Sequence, residues 1–188
     1  MNSSERFGGF VAHLERHLGT LRGAEGPEAE GRNRGYSIAF FERSDPGIIS
    51  AASNGIRFQD VTSIMPEELV CTLRHDQENV ARYLVNVVSS MVIGSGNGIE
   101  YDQIIKNDQP LIPQTEIQAI LAASSPYFGT EFDLLRDGRG NPELQIITLI
   151  PITLAEAEYA EENEPEDLFE EWQGSRTNLL DVRRASAI

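Results

Sequence analysis

Pro142-Glu143-Leu144-Gln145-Ile146-Ile147-Thr148-Leu149-Ile150-Pro151-Ile152-Thr153, followed by Leu154-Ala155-Glu156-Ala157-Glu158, is the stretch whose reading decides the fold. The apolar run from Leu144 to Ile150 reads as a strand, and Pro151, with no backbone N–H to donate, reads as its stop. Thr153 and Glu156 then stand at the spacing of a capping box, hydroxyl to backbone and carboxylate back to backbone, so a helix starts at once. From Thr153 to Trp172 the chain carries nine carboxylates and no basic residue.

Upstream, Phe132 to Leu135, the turn Asp137-Gly138-Arg139-Gly140-Asn141 and the strand from Leu144 read as a hairpin. Glu116 to Ala123 could start a helix from Thr115, but its place among strands and the stop at Pro126 favour a strand. Downstream, Pro165 at a first-turn position opens a second short helix, with Leu168, Phe169 and Trp172 facing inward. Leu179 to Val182 reads as a last short strand.

Phe7, Phe10, Val11, Leu14, Leu18 and Leu21 recur at three- and four-residue spacing, which predicts a helix from about Ser4 to Arg22 with one apolar stripe. Gly23 to Gly35 reads as a loop. Tyr36 to Phe41 and Ile48 to Ala52 read as strands, separated by the Ser44-Asp45-Pro46-Gly47 turn and closed by Asn54-Gly55. Leu69, Cys71 and Leu73 alternate in a half-buried strand from Glu67. Asp76 is placed to cap a long helix whose stripe is Val80, Leu84, Val87, Val88 and Met91, ending at Gly94. Ile99 to Ile105 looks extended, and Asp108 to Pro113 is a proline-bounded loop. The fold class is therefore α+β: a single domain over 1–188, with a mixed or antiparallel sheet, helices at both ends and one long central helix.

The composition is that of an ordinary soluble chain, 40% hydrophobic and 24% charged over 188 residues. A formal net charge of -15 argues against nucleic acid, whose phosphates need clustered Lys and Arg, and against anionic membrane surfaces. It fits a basic protein partner or plain solubility. Lys106 is the only lysine among the 15 basic residues, a bias read as composition rather than mechanism. Cys71 is alone, so no intramolecular disulfide can form, and the expected compartment is the reducing cytoplasm. No apolar run approaches membrane-spanning length, and residues 1–6 lack a signal layout.

No residue pattern carries catalysis, and neither a metal nor a cofactor is expected. His13 and His17 are four apart, yet no third ligand accompanies them, so a polar flank beside the apolar stripe is the reading. Cys71 and His75 on one strand lie roughly 13 Å apart, too far for proton transfer, and Cys71 reads as a small core residue. Gly94-Ser95-Gly96-Asn97-Gly98 follows a helix instead of opening one, so it is a terminator and not a phosphate cradle. Catalytic carboxylates need unequal, partly buried environments, and a dense run on exposed helices supplies none. Glu100, Asp102 and Asp108 are scattered.

The run Leu149-Ile150-Pro151-Ile152-Thr153, with acids opening the next helix, resembles the end of the suppressor-of-fused domain in its bacterial single-domain branch. Ile49 to Phe58, the Glu67-Glu68-Leu69-Val70-Cys71 strand start, the helix from Asp76 to Gly94, Ile104 to Leu111 and Glu116 to Pro126 follow the same layout, over about residues 36 to 184. The resemblance implies a binding domain without enzymatic activity. In animals the family's two-domain member holds a zinc-finger transcription factor in the cytoplasm by adding a short peptide as a strand. This chain shows no second domain to complete such a clamp, so that role does not carry over. In bacteria such domains are associated with contact-dependent toxin systems, often as the immunity partner. The expectation is thus a cytoplasmic protein-binding module, with Glu158, Glu161, Glu162, Glu166, Asp167, Glu170 and Glu171 steering a basic toxin domain. Trp172 and Tyr159 are candidate anchors, although both fit the core as well. The rival readings are a small hydrolase using scattered carboxylates and a homo-oligomeric scaffold pairing edge strands such as Tyr36 to Phe41.

Overall fold

In the computed structural model, residues 6–29 and 31–188 are described. Helix α1 (Phe10–Leu18) leads into strand β1 (Thr20–Glu25) and a small hairpin of β2 (Glu28–Ala29) and β3 (Arg32–Asn33). Strands β4 (Ser37–Arg43), β5 (Ile48–Asn54) and β6 (Glu67–Arg74) precede the long helix α2 (Glu78–Ser95). Then come β7 (Ile104–Lys106), β8 (Ile117–Ala123), β9 (Leu134–Arg136), β10 (Pro142–Thr153), α3 (Leu154–Glu162) and α4 (Pro165–Ser175). The main sheet runs β1-β4-β5-β6-β10-β8-β7, with β9 also paired to β10. Only β6 and β10 run parallel, so the sheet is mixed and the architecture is α+β.

The helices cover both faces. α2 packs on Leu69, Cys71 and Leu73 of β6 and on Ile147 and Leu149 of β10. The alternate residues Val70 and Ile146 face Phe10, Leu14 and Leu18 of α1. Further along that second face, Ile150 and Ile152 join Ala119 and Leu121 beneath α3 and α4. Period-two alternation sends one set of side chains to each face, and here both sets are buried. This corrects the half-buried reading of β6: seven of its eight residues are buried, and only Arg74 is exposed.

Several element boundaries differ from expectation. The helix expected to reach Arg22 stops at Leu18, because Gly19 takes φ 101° and the chain turns to pair Thr20 with Glu42 and Glu25 with Ile38. Leu21 is consequently a strand residue, 38% exposed, and the expected loop from Gly23 begins as strand β1. The expected start at Ser4 lies outside the described residues. Asp76 does not cap α2. It sits in a short 3-10 turn and pairs with Arg183 and Arg74, while Gln77 holds the cap position without a side-chain bond. The buried stripe of α2 is Ala81, Leu84, Val85, Val88, Ser89 and Val92, rotated so that Met91 is 38% exposed. Its left-handed terminator is Gly96, not Gly94.

Pro151 does not end its strand. β10 continues to Thr153 against β8, with Pro151 opposite Ile120. Pairing with β6 stops at Thr148, so the proline lies where the strand has a neighbour on one side only, a position that tolerates it. Leu179 to Val182 forms turns and not a strand. It is tied down by Arg74 N–H donating to Leu180 O at 2.8 Å and Val182 N–H to the Gln77 side chain at 3.1 Å.

Candidate protein-binding face

Two capping boxes build the acidic end of the molecule. At α3, the Thr153 hydroxyl accepts from Glu156 N–H at 3.2 Å, while Thr153 N–H donates to the Glu156 carboxylate at 2.9 Å. At α4, Glu164 and Asp167 make the equivalent reciprocal box, with Pro165 in the first turn, where its missing N–H costs nothing. Only Asn163 and Glu164 separate the two helices. Leu168 and Trp172 are buried and Phe169 is partly buried, as their spacing predicts.

Of the seven carboxylates expected to steer a partner, Glu158, Glu161, Glu162, Glu166, Glu170 and Glu171 are exposed on α3 and α4. Asp167 is half-buried because its carboxylate is engaged in the capping box. Among the described residues, Glu161 alone of the seven has a basic partner, the Lys106 ammonium at 2.6 Å. Tyr159 is half-buried, and its phenol titrates higher than usual, from desolvation first and then from Glu171, Asp167 and Glu170.

Glu156 belongs to a different environment from the rest of the run. It is 0% exposed and accepts from Arg184 Nη1 at 2.6 Å, Arg184 Nη2 at 2.7 Å, Trp172 Nε1 at 3.0 Å and Ala187 N at 3.2 Å. Burial pushes its carboxyl up, but the Arg184 guanidinium and the Thr153 and Trp172 N–H groups outweigh that and hold it below its ordinary value. Arg184 is equally enclosed, at 5% side-chain exposure, and also donates to Pro151 O at 3.3 Å. This pair clamps the C-terminal segment over the β10–α3 corner.

The other sequence candidates sit in separate environments, His13 and His17 excepted. His13 is buried with Nε2 at 2.8 Å from Phe132 O, and its ring centroid is 4.9 Å from that of His17. Among the described residues no group of three or more His, Cys, Asp or Glu side chains is placed to hold a metal ion. Cys71 is fully buried, and desolvation pushes its thiol up to about 12. His75 is exposed and meets Glu42 at 2.9 Å instead. Glu100, Asp102 and Asp108 are exposed, and Asp102 is shifted upward by partial burial and by Glu166.

A buried charge cluster that no local pattern signals lies at the other end of the sheet. Glu68 accepts from Ser53 Oγ at 2.5 Å, Gly55 N at 2.7 Å and Arg57 Nη1 at 2.5 Å. The Arg57 guanidinium lies 4.3 Å from the ring centres of both Phe10 and Phe58. Neighbouring Glu67, on the opposite face of β6, accepts from Ile99 N and the Gln145 side chain, and burial raises its pKa. The hydrogen bonds of each carboxylate tie one loop to the sheet: Glu68 holds Gly55 and Arg57, and Glu67 holds Ile99.

A mixed sheet with one parallel pair, α2 on one face and α1 beside α3–α4 on the other, defines an α+β architecture. The suppressor of fused protein (SUFU) family model matches residues 35–185, and the chain belongs to that family. The fold is shared with a suppressor-of-fused homologue from Neisseria gonorrhoeae FA 1090, at TM-score 0.71 and 16% identity, covering 95% of this chain and 94% of that one. A chain of the Sufu–Fu complex superposes with TM-score 0.69 and 13% identity, over 97% of this chain and 92% of that one. Drosophila Suppressor of Fused gives TM-score 0.57 and 14% identity over 80% of this chain, but only 42% of its own length. No curated protein matches the chain in sequence. No described helix is long and apolar enough to cross a membrane.

Proposed function

We propose that this chain is a cytoplasmic protein-binding domain without enzymatic activity, which acts as an immunity protein by occluding a basic toxin domain. The observation that carries the reading is the α3–α4 face, where six of the seven expected carboxylates are exposed and, among the described residues, only Glu161 has a basic partner. Such a face accelerates encounter with a basic surface and repels acidic ones. Family membership supports a binding role, as does the association of another suppressor-of-fused chain with a protein in the Sufu–Fu complex. The toxin assignment rests on the likeness to the bacterial branch of the family.

Affinity capture from the native cell, followed by mass spectrometry, tests the class of partner. The expected result is a stoichiometric basic chain bearing a toxin domain, released by raised salt. Recovery of an acidic partner, or of none under low salt, would overturn the proposal.

A further inference from the structure

Two histidines and three arginines gather where α1 meets β4 and residues 128–136, in a chain whose formal net charge is -15. His13 is buried, and its Nε2 lies 2.8 Å from the Phe132 carbonyl oxygen. A carbonyl only accepts, so the geometry assigns a proton to that nitrogen and leaves the other one to titrate. His17 stands one helical turn further on, with the two ring centroids 4.9 Å apart. Both rings lie beside Phe132, at 6.2 Å and 5.5 Å between centroids. The Arg43 guanidinium of β4 donates to the His17 carbonyl oxygen and sits 5.7 Å from the Phe128 ring centre. These contacts fasten the C-terminal half of α1, whose Phe10, Leu14 and Leu18 cover Phe41, Val70 and Ile146 of the sheet.

The charged groups around the pair are mostly cationic. Arg16 comes from α1 and Arg43 from β4, while Arg136 of β9 lines, together with His13, Arg16 and Glu131, a hollow of about 600 Å³ beside the helix. Glu131 is the one carboxylate among these groups. Glu15, the other acid of α1, turns to the Leu21 N–H at 3.4 Å. A proton added to the pair therefore meets a second imidazole and several guanidinium groups, with a single carboxylate to offset them. A helix C-terminus ordinarily favours an imidazolium. Here the His17 carbonyl is already taken by Arg43 and the Glu15 carbonyl by Gly19 N–H, which removes much of that pull. His17 accordingly holds its proton less tightly than an ordinary imidazole, from desolvation first and then from His13, Arg16 and Arg43, with Glu131 acting the other way.

We infer that the His13–His17 pair is an acid-sensitive latch, which holds α1 against β4 and residues 128–132 while the rings are neutral and loosens the helix when they are protonated. The folded value for His17 lies below the ordinary 6.5, so its share of the stability is complete above pH 6.5 and is lost as pH falls from there through the folded value. Glu156 is protonated only below 4.5, so the two effects separate by pH. The latch stands whether or not the α3–α4 face receives a partner.

Amide exchange of the full chain at pH 7.5 and 5.5 tests it, corrected for the pH dependence of intrinsic exchange and read as the protection of Leu14 to Leu18 relative to α2. In the wild-type protein that ratio is expected to fall about fivefold or more, the factor that a one-unit displacement of one imidazole produces at pH 5.5. His17→Gln, at a half-buried position, is expected to hold the ratio within about twofold. Proton NMR of the wild-type protein supplies a second readout, in which the His17 ring is expected to titrate below pH 6.5. An unchanged wild-type ratio, an equal fall in His17→Gln, or a His17 midpoint at or above 6.5 overturns the latch. The last of these needs no variant, so it decides the matter even where His17→Gln fails to fold.

Discussion

At Gly19 the backbone takes φ 101°, and a Cβ there would lie 2.4 Å from the Glu42 carbonyl oxygen. Glycine is therefore required on two counts, the left-handed turn and the close approach of β4. Gly19→Ala is expected to cost about 1–3 kcal/mol, measured by urea denaturation, because strain and the clash add. A neutral result would mean that α1 can run on past Leu18. The apolar period from Phe7 to Leu21 carried no sign of this break, since Leu21 falls on the helical stripe by spacing alone. Only the cross-strand partner, more than twenty residues away, decides it. Cys71 was legible, because an alternating apolar strand leaves a lone small thiol little other place than the core.

The β10–α3–α4 corner shows how far an element can be read locally. Thr153, Glu156 and Pro165 mark their helix starts through bonds to residues three positions away, so the sequence pattern contains the whole interaction. Arg184 lies 28 positions from Glu156, and nothing local ties the two. As a result Glu156 read as a capping-box residue at the head of an exposed acidic run, and its second role as the buried anchor of the C-terminal segment went unseen. Glu156→Gln is expected to destabilise the fold by about 3–5 kcal/mol, because it leaves the enclosed Arg184 charge unpaired. The pH dependence follows from the direction of the shift. The folded pKa of Glu156 lies below its unfolded value near 4.5, so its stabilisation is present above that pH and is lost as pH falls through the folded value. Wild-type and Glu156→Gln unfolding curves should therefore converge on acidification. A constant gap from neutral pH to acid would contradict the ion pair.

For the whole molecule, order and class of elements were readable because each strand and helix carries its own period, and the long α2 and the β10 junction fixed the layout. What escaped was which faces meet. β6 and most of β10 are buried on both faces, so the alternation of Leu69, Cys71 and Leu73 read as half-buried a strand that has no exposed face. The site was readable in charge and unreadable in shape. Nine carboxylates between Glu156 and Glu171 are visible in one dimension, whereas Pro126 and Tyr127 meet α4 and residues 177–180 only in the folded chain. A net charge of -15 makes encounter with a basic surface fast at low ionic strength and slow at high. The central claim is that the α3–α4 face receives the partner, and stopped-flow association of the captured partner tests it most directly. Glu158→Lys, Glu161→Lys, Glu162→Lys and Glu170→Lys combined should lower the association rate by about tenfold or more at low salt and flatten its salt dependence. An association rate and salt slope equal to those of the wild-type protein would contradict the account.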